Sequence, residues 1–263
     1  NSSNDHQVAN VENIIGTTGT DTIEGDSADN ILNATSGTND TLSYENASSS
    51  VYVNLGNAIT SDITGDGNAD NINATTAVGS ATGTDTITNF DDVDGSLNKD
   101  TIVGDSADNT LDGKANDDIL VGGDGADSLI GGTGSDTVSY ATDTSSIDVS
   151  LRNASGQDGY GNTDTYDSIE NVIGTTSNDT IEGNVSDNTL DGGDGIDTLT
   201  YKNATAGVSV DLSLTVNNTG NDGVDTISNF ENLEGSDLTD NLSGDDNKNT
   251  ITGLKGKDRK SVV

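Results

Sequence analysis

The sequence predicts an all-β protein: a parallel β-solenoid built of blocks of stacked nonapeptide coils joined by β-strand spacers. Three observations carry that expectation. Glycine and aspartate recur at fixed offsets nine residues apart, an aliphatic residue follows each aspartate by two, and stretches of alternating apolar residues separate the blocks. Self-similarity at a fixed short period marks a repeat architecture, and period-two alternation marks a half-buried strand.

The nine-residue repeat is clearest at Gly122–Ile130 and Gly131–Ser139, which state one pattern twice. Stepping back by nine from Gly131 gives Gly122, Gly113, Gly104 and Gly95. Five positions on stand Asp136, Asp127, Asp118, Asn109 and Asp100, and two further Val138, Leu129, Leu120, Leu111 and Ile102. The same phase runs from Gly174 through Asp179 and Asn188 to Asp197, and from Gly235 through Asp240 and Asn249 to Asp258. Near the start it runs through Asp21 and Asn30, after which one extra residue shifts the third unit to Asp40 and Leu42. A longer period overlies it: "VEN" at 11, "FDD" at 90, "IEN" at 169 and "FEN" at 230 each precede a block.

Between blocks comes a tyrosine and then an alternating stretch: Tyr44 with Val51, Val53 and Leu55; Tyr140 with Ile147, Val149 and Leu151; Tyr201 with Val208, Val210 and Leu212. These read as strands, with the tyrosines as core; stacking on a surface carbohydrate is their alternative role. The polar, glycine-rich stretches that follow, such as residues 152–168, read as long loops. The resulting division is 11–44, 91–140, 171–201 and 231–258 as repeat blocks, with 45–90, 141–170 and 202–230 as β spacers. Residues 259–263 read as a non-native tail, and with no initiator Met the chain reads as an internal piece of something larger.

Composition narrows the function. The 263 residues carry 46 Asp plus Glu against 9 Lys plus Arg, a formal charge of −37, with 29% hydrophobic residues and no Cys, Pro, Met or Trp. Phosphate contacts need a basic face, so a nucleic-acid partner is excluded. No run of about 18 apolar residues suggests a membrane-spanning helix. No disulfide or thiolate metal site is available. The sequence shows neither the His-Glu-x-x-His of a metalloprotease nor the Gly-x-Ser-x-Gly of a lipase.

The aspartates point to a metal. Two glycines and then a third make a turn in which φ is positive without steric cost, and the x-aliphatic-x stretch makes one brief strand. Two turns and two strands close one flattened coil per eighteen residues, so Asp100, Asp118 and Asp136 share one edge and Asn109 and Asp127 the other. Bare carboxylates about 4.8 Å apart repel by roughly 3–4 kcal/mol at an effective dielectric near 20. A dication between turns reverses that sign. Calcium takes six to eight oxygens in flexible geometry, magnesium is stricter, and zinc wants His or Cys. The only His is His6. The candidate ligands of several Ca2+ ions are Asp100, Asn109, Gly113, Asp118, Gly122, Gly123, Asp124, Gly125, Asp127, Gly131, Gly132, Gly134 and Asp136 in the central block. Outside it they are Asp21, Asp40, Asp179, Gly192, Gly193, Asp194, Gly195, Asp197 and Asp240. The strongest sites are expected between 113–118 and 131–136 and between 104–109 and 122–127, with one more from Asp179 and Asp197. Turns with Asn in sixth place bind weakly or only cap a neighbour.

The pattern Gly-Gly-x-Gly-x-Asp-x-aliphatic-x resembles the RTX, or haemolysin-type, calcium-binding nonapeptide, with full matches at 122–130, 131–139 and 192–200. The resemblance implies a parallel β-roll in a bacterial protein that leaves the cell unfolded by type I secretion and folds in external calcium. It implies a non-catalytic segment of a secreted or cell-surface adhesin, surface-layer protein or exoprotein. The alternative is the repeat region of a secreted protease, lipase or polysaccharide epimerase.

Overall fold

The structure, a computed structural model, describes residues 11–64, 73–80 and 82–261. Its described regular elements are all strands, most of them three residues long. They fall into two compact units, one of residues up to Val138 together with Asp164–Ile169, the other of Ser139–Thr163 together with Glu170 onward.

The eighteen-residue coil is explicit in the pairing of the first unit. Thr110–Asp112 lies parallel to Ser128–Ile130 with Leu111 opposite Leu129, and Thr101–Val103 lies parallel to Ile119–Val121 with Ile102 opposite Leu120. Alternate strands along the chain thus belong to two different sheets. The aliphatic residue of each unit points inward: Leu32, Leu42, Ile102, Leu111, Leu120 and Leu129 are all 0% exposed. The extra residue before Asp40 appears as a nineteen-residue step, Thr22 pairing with Thr41 and Ile23 with Leu42. The second unit repeats the plan, with Ile181 opposite Leu199 and Val172 opposite Leu190. A three-stranded sheet of Ser209–Asp211, Asn241–Ser243 and Arg259–Ser261 completes it. Lys260 there stands opposite Leu242, so the repeat register runs through the residues read as a tail.

The glycine-rich stretches read as long loops contain strands, joined by turns. In the first unit Thr76–Gly79 pairs antiparallel with both Val51–Asn54 and Gly83–Thr88, and the latter lies parallel to Ile31–Asn33. In the second, Val216–Gly220 pairs antiparallel with Gly223–Ser228, and Ser155–Gln157 with Asp148–Ser150. The reason is alternation with a polar residue inside: in Gly83–Thr88 the buried positions are Asp85 and Ile87, and in Thr163–Asp167 they are Asp164 and Tyr166. An aspartate in the inward slot hides the strand from a reading based on apolar residues alone. Each spacer therefore contributes in-register rungs to its stack.

With one aliphatic residue per rung, the core is thin and each of them matters. Leu120→Ala is expected to lower unfolding stability by about 2–5 kcal/mol in urea melts at fixed calcium, whereas Leu97→Ala, at an exposed turn position, is expected to change it by less than about 0.5 kcal/mol.

Candidate metal centre

The sixth residue of most described turns is buried, and at Asp118, Asp127, Asp136 and Asp197 one oxygen of its side chain serves the neighbouring coil. The Asp118 Oδ1 accepts the Asp100 N–H at 2.7 Å and the Asp136 Oδ1 accepts the Asp118 N–H at 2.8 Å. On the other edge the Asp127 Oδ1 accepts the Asn109 N–H at 2.8 Å. The Asp197 Oδ1 accepts the Asp179 N–H at 2.7 Å. The Asp40 Oδ1 accepts the Asp21 N–H at 2.8 Å. The pairs expected from the eighteen-residue step are thus brought together, each through backbone and side chain of adjacent coils.

Three aspartates of the spacers, which the repeat pattern did not mark, extend these columns. Asp164 Oδ1 accepts the Asp127 N–H at 3.0 Å, Asp85 Oδ1 the Asn30 N–H at 2.9 Å, and Asp225 Oδ1 the Asn188 N–H at 3.2 Å. The signal was present as Asp-Thr followed by an inward residue in "TDTIT", "TDTYD" and "VDTIS", the spacing of the repeats themselves. Two of them are finished by the spacer tyrosines. Tyr44 donates its hydroxyl to Asp85 Oδ2 at 2.7 Å, and Tyr201 donates to Asp225 Oδ2 at 2.9 Å. Burial pushes both carboxyls up to about 6 against these stabilising bonds. The tyrosines are therefore core residues with a polar duty, and both are buried.

The second oxygen separates the remaining turns into kinds. Where the second residue of the turn is Ser or Thr without positive φ, its own N–H reaches that oxygen: Ser96 to Asp100 Oδ2 at 2.5 Å, Thr175 to Asp179 Oδ2 at 2.6 Å, Ser236 to Asp240 Oδ2 at 2.9 Å. Where the second residue adopts positive φ, no such bond forms. Those residues are Gly123 (φ 102), Gly132 (φ 96) and Gly193 (φ 85), joined by Lys114 (φ 73) and Thr35 (φ 74). Positive φ is free for glycine and costs a residue such as Lys about 1–3 kcal/mol. In this group the Oδ2 atoms of Asp40, Asp118 and Asp197 are buried and accept no hydrogen bond.

A buried carboxylate oxygen without a donor is expensive, which is why such groups are paired or bind metals. Desolvation pushes the Asp118 carboxyl up to about 8, with Asp100, Asp136 and Asp117 adding to it, and pushes Asp197 up to about 7. Carbonyl oxygens of the preceding coil crowd the same turns. A Cβ placed on Gly123 or Gly125 would strike Asp105 O or Ala107 O, and on Gly193 or Gly195 it would strike Thr175 O or Ser177 O. A Cβ on Gly113 or Gly122 would run into the carboxylate of Asp118 or Asp127. Among the described residues no three acidic or His side chains converge on one point. A cation here must therefore draw on one or two carboxylates and several backbone carbonyls, the oxygen-only donor set of calcium.

The candidate residues divide accordingly. Gly131, Gly132, Gly134 and Asp136 lie in a turn of the positive-φ kind, as do Gly122, Gly125 and Asp127, and Gly192 and Asp197. Asp124 and Asp194, the third residues of their turns, are exposed. Asp21, Asp100, Asp179 and Asp240 belong to turns closed by their own N–H groups. Asn109 accepts the Asp105 N–H at 2.8 Å in the same way.

The family described as RTX calcium-binding nonapeptide repeat (4 copies) matches residues 9–42, 94–129, 103–138, 164–199 and 234–259, together more than half of the chain. No curated protein matches it.

A raised carboxyl favours the fold where it is protonated. For Asp118 and Asp197, with values of about 8 and about 7 in the fold against the ordinary carboxylate range near 4 when unfolded, that contribution is complete below the unfolded value. It is lost as pH rises through 7–8. In excess chelator, β-sheet circular dichroism is thus expected to grow as pH falls from 8 to 5, and to grow less in the D118N/D197N double variant; equal pH responses would contradict the assignment. Tyr201→Phe, which orphans Asp225 Oδ2, is expected to cost about 1–3 kcal/mol in urea melts with calcium saturating.

Proposed function

The chain belongs to the RTX calcium-binding nonapeptide repeat family, and on that premise we propose that it is a calcium-folded structural segment of a large secreted or cell-surface bacterial protein: an adhesin, surface-layer protein or exoprotein. The observation that carries this reading is the buried, donor-less second oxygen of Asp40, Asp118 and Asp197. Calcium, when bound, supplies a double positive charge and takes six to eight oxygens at about 2.3–2.6 Å.

The residues that hold ions in this reading are Asp118, Asp127 and Asp136 in the central block, Asp197 in the third and Asp40 in the first. Each fixes the adjacent coil with Oδ1 or with its own N–H, and turns Oδ2 toward a glycine of its own turn. Backbone carbonyls of the coil beneath, such as Asp105 O and Ala107 O, complete the donor set.

Folding is then coupled to the ion. Inside a cell, at low calcium, carboxylate repulsion and a thin core keep the chain expanded, and its charge of −37 keeps it soluble for export. Extracellular calcium modules bind at about 10⁻⁴–10⁻³ M, which matches the calcium met outside and makes release the folding signal. The segment itself contributes rigidity and reach and no catalysis. Long blocks alternating with spacer strands suit a surface protein that must extend from the cell.

Circular dichroism of the full chain, titrated with calcium and separately with magnesium, tests this reading. A coil-to-β transition is expected below about 10 mM calcium, with magnesium ineffective over the same range. No transition with calcium, or an equal one with magnesium, would overturn it.

A further inference from the structure

Four turns carry Ser or Thr in second place and Asp in sixth, and all four are wired alike. Besides the N–H contact to Oδ2, the hydroxyl donates to Oδ1: Thr17 to Asp21 at 3.1 Å, Ser96 to Asp100 at 2.9 Å, Thr175 to Asp179 at 3.1 Å, Ser236 to Asp240 at 2.8 Å. The same hydroxyl accepts the N–H of the fourth residue, as from Asn98 to Ser96 Oγ at 3.0 Å and from Ser177 to Thr175 Oγ1 at 2.8 Å. Asp100 also accepts the Val51 N–H at 2.8 Å. Both of its oxygens are therefore occupied by donors of the chain.

Four other turns carry Asp or Asn in second place and Asn in sixth. There the second residue's N–H donates to the Asn Oδ1: Asp26 to Asn30 at 2.8 Å, Asp105 to Asn109 at 2.8 Å, Asn184 to Asn188 at 2.7 Å, Asp245 to Asn249 at 2.9 Å. The Asn Nδ2 donates to a carbonyl of the coil beneath, from Asn109 to Asp91 O at 2.7 Å and from Asn188 to Glu170 O at 2.8 Å. An N–H group there occupies the carbonyl that a cation would need, and repels the cation itself.

The two wirings follow each other in order. Turns starting at Gly16, Gly95, Gly174 and Gly235 are of the Ser/Thr–Asp kind, and those at Gly25, Gly104, Gly183 and Gly244 of the Asp/Asn–Asn kind. Only then come turns with a positive-φ second residue: Thr35, Lys114, Gly123, Gly132, Gly193 and Leu254.

We propose that the second residue of each turn decides whether its sixth residue is a calcium ligand, so that the first full coil of every block is closed by hydrogen bonds and gives no side-chain ligand to an ion. Ser, Thr, Asp or Asn in second place, unless held at positive φ as Thr35 is, presents its N–H inward and saturates the sixth side chain. Glycine, or another residue held at positive φ, turns that N–H away and leaves the carboxylate for a cation. Each block then has a metal-independent first coil, and calcium adds the turns stacked upon it. This rests on the reading of the positive-φ turns as calcium sites.

The test is the calcium stoichiometry of the full chain, by equilibrium dialysis and by native mass spectrometry. S96D/D100N rewires the first turn of the central block to the Asp105–Asn109 pattern and removes its carboxylate from sixth place. T175D/D179N does the same in the third block. Both are expected to bind as many ions as the unaltered chain, with midpoints within about twofold, and Asp118→Asn to bind at least one fewer. Loss of an ion in either double variant overturns the inference while leaving calcium binding intact. Failure of both to fold at saturating calcium also overturns it, since the two wirings would not be interchangeable. If the unaltered chain binds no calcium, the functional reading itself falls.

Discussion

The structure depends on a buried side-chain oxygen that every turn of the solenoid must satisfy. At Asp118, Asp127, Asp136 and Asp197 the sixth residue lies inside the coil, and its first oxygen is committed to the N–H of the adjacent coil, in the eighteen-residue register. The second oxygen has no partner fixed by the fold. Leaving it bare costs the desolvation of an anion, in a stack that places another such residue two positions before each aliphatic rung. Local chemistry must therefore answer it, turn by turn.

Three answers coexist in this chain. An inward N–H with a hydroxyl clamp saturates Asp100 and its equivalents; replacing the carboxylate by a carboxamide removes the charge at Asn109 and its equivalents. The hydroxyl of a tyrosine that closes a repeat block serves the spacer residues Asp85 and Asp225. At Asp40, Asp118 and Asp197, in turns with positive φ at second place, Oδ2 receives none of these. Outside sixth place a side-chain cation is used where one can reach: Arg152 pairs with the buried Asp222 at 2.7 Å, and Lys114 bridges Asp94 and Asp112, each at 2.7 Å. With 9 Lys and Arg against 46 acidic residues, that solution cannot be general; protonation serves at low pH, and in the proposed reading an external dication serves outside the cell.

Much of this is legible in the sequence because the period is strict. The nine-residue spacing gives the eighteen-residue coil, the inward Leu111, Leu120 and Leu129, and the two columns of sixth residues, all of which the strand pairing bears out. The spacers were harder to read. Asp85, Asp164 and Asp225 take the place of an apolar residue in an alternating strand, and the hairpins that present them form by long-range pairing that no local pattern announces. The distinction between Asp100 and Asp118 was hidden for another reason: both sit in sixth place of the same motif. It turns on the peptide orientation at Ser96 and Lys114, and Lys114 reaches positive φ without being glycine. A reading that weights only the aspartates counts both as ligands.

The central claim is that the donor-less carboxylates are completed by a divalent ion. Anomalous diffraction at long wavelength from crystals of the full chain grown in calcium tests it most directly. Calcium peaks are expected at about 2.3–2.6 Å from Oδ2 of Asp40, Asp118 and Asp197. A well-ordered solenoid with no peak beside any of these three carboxylates would contradict it.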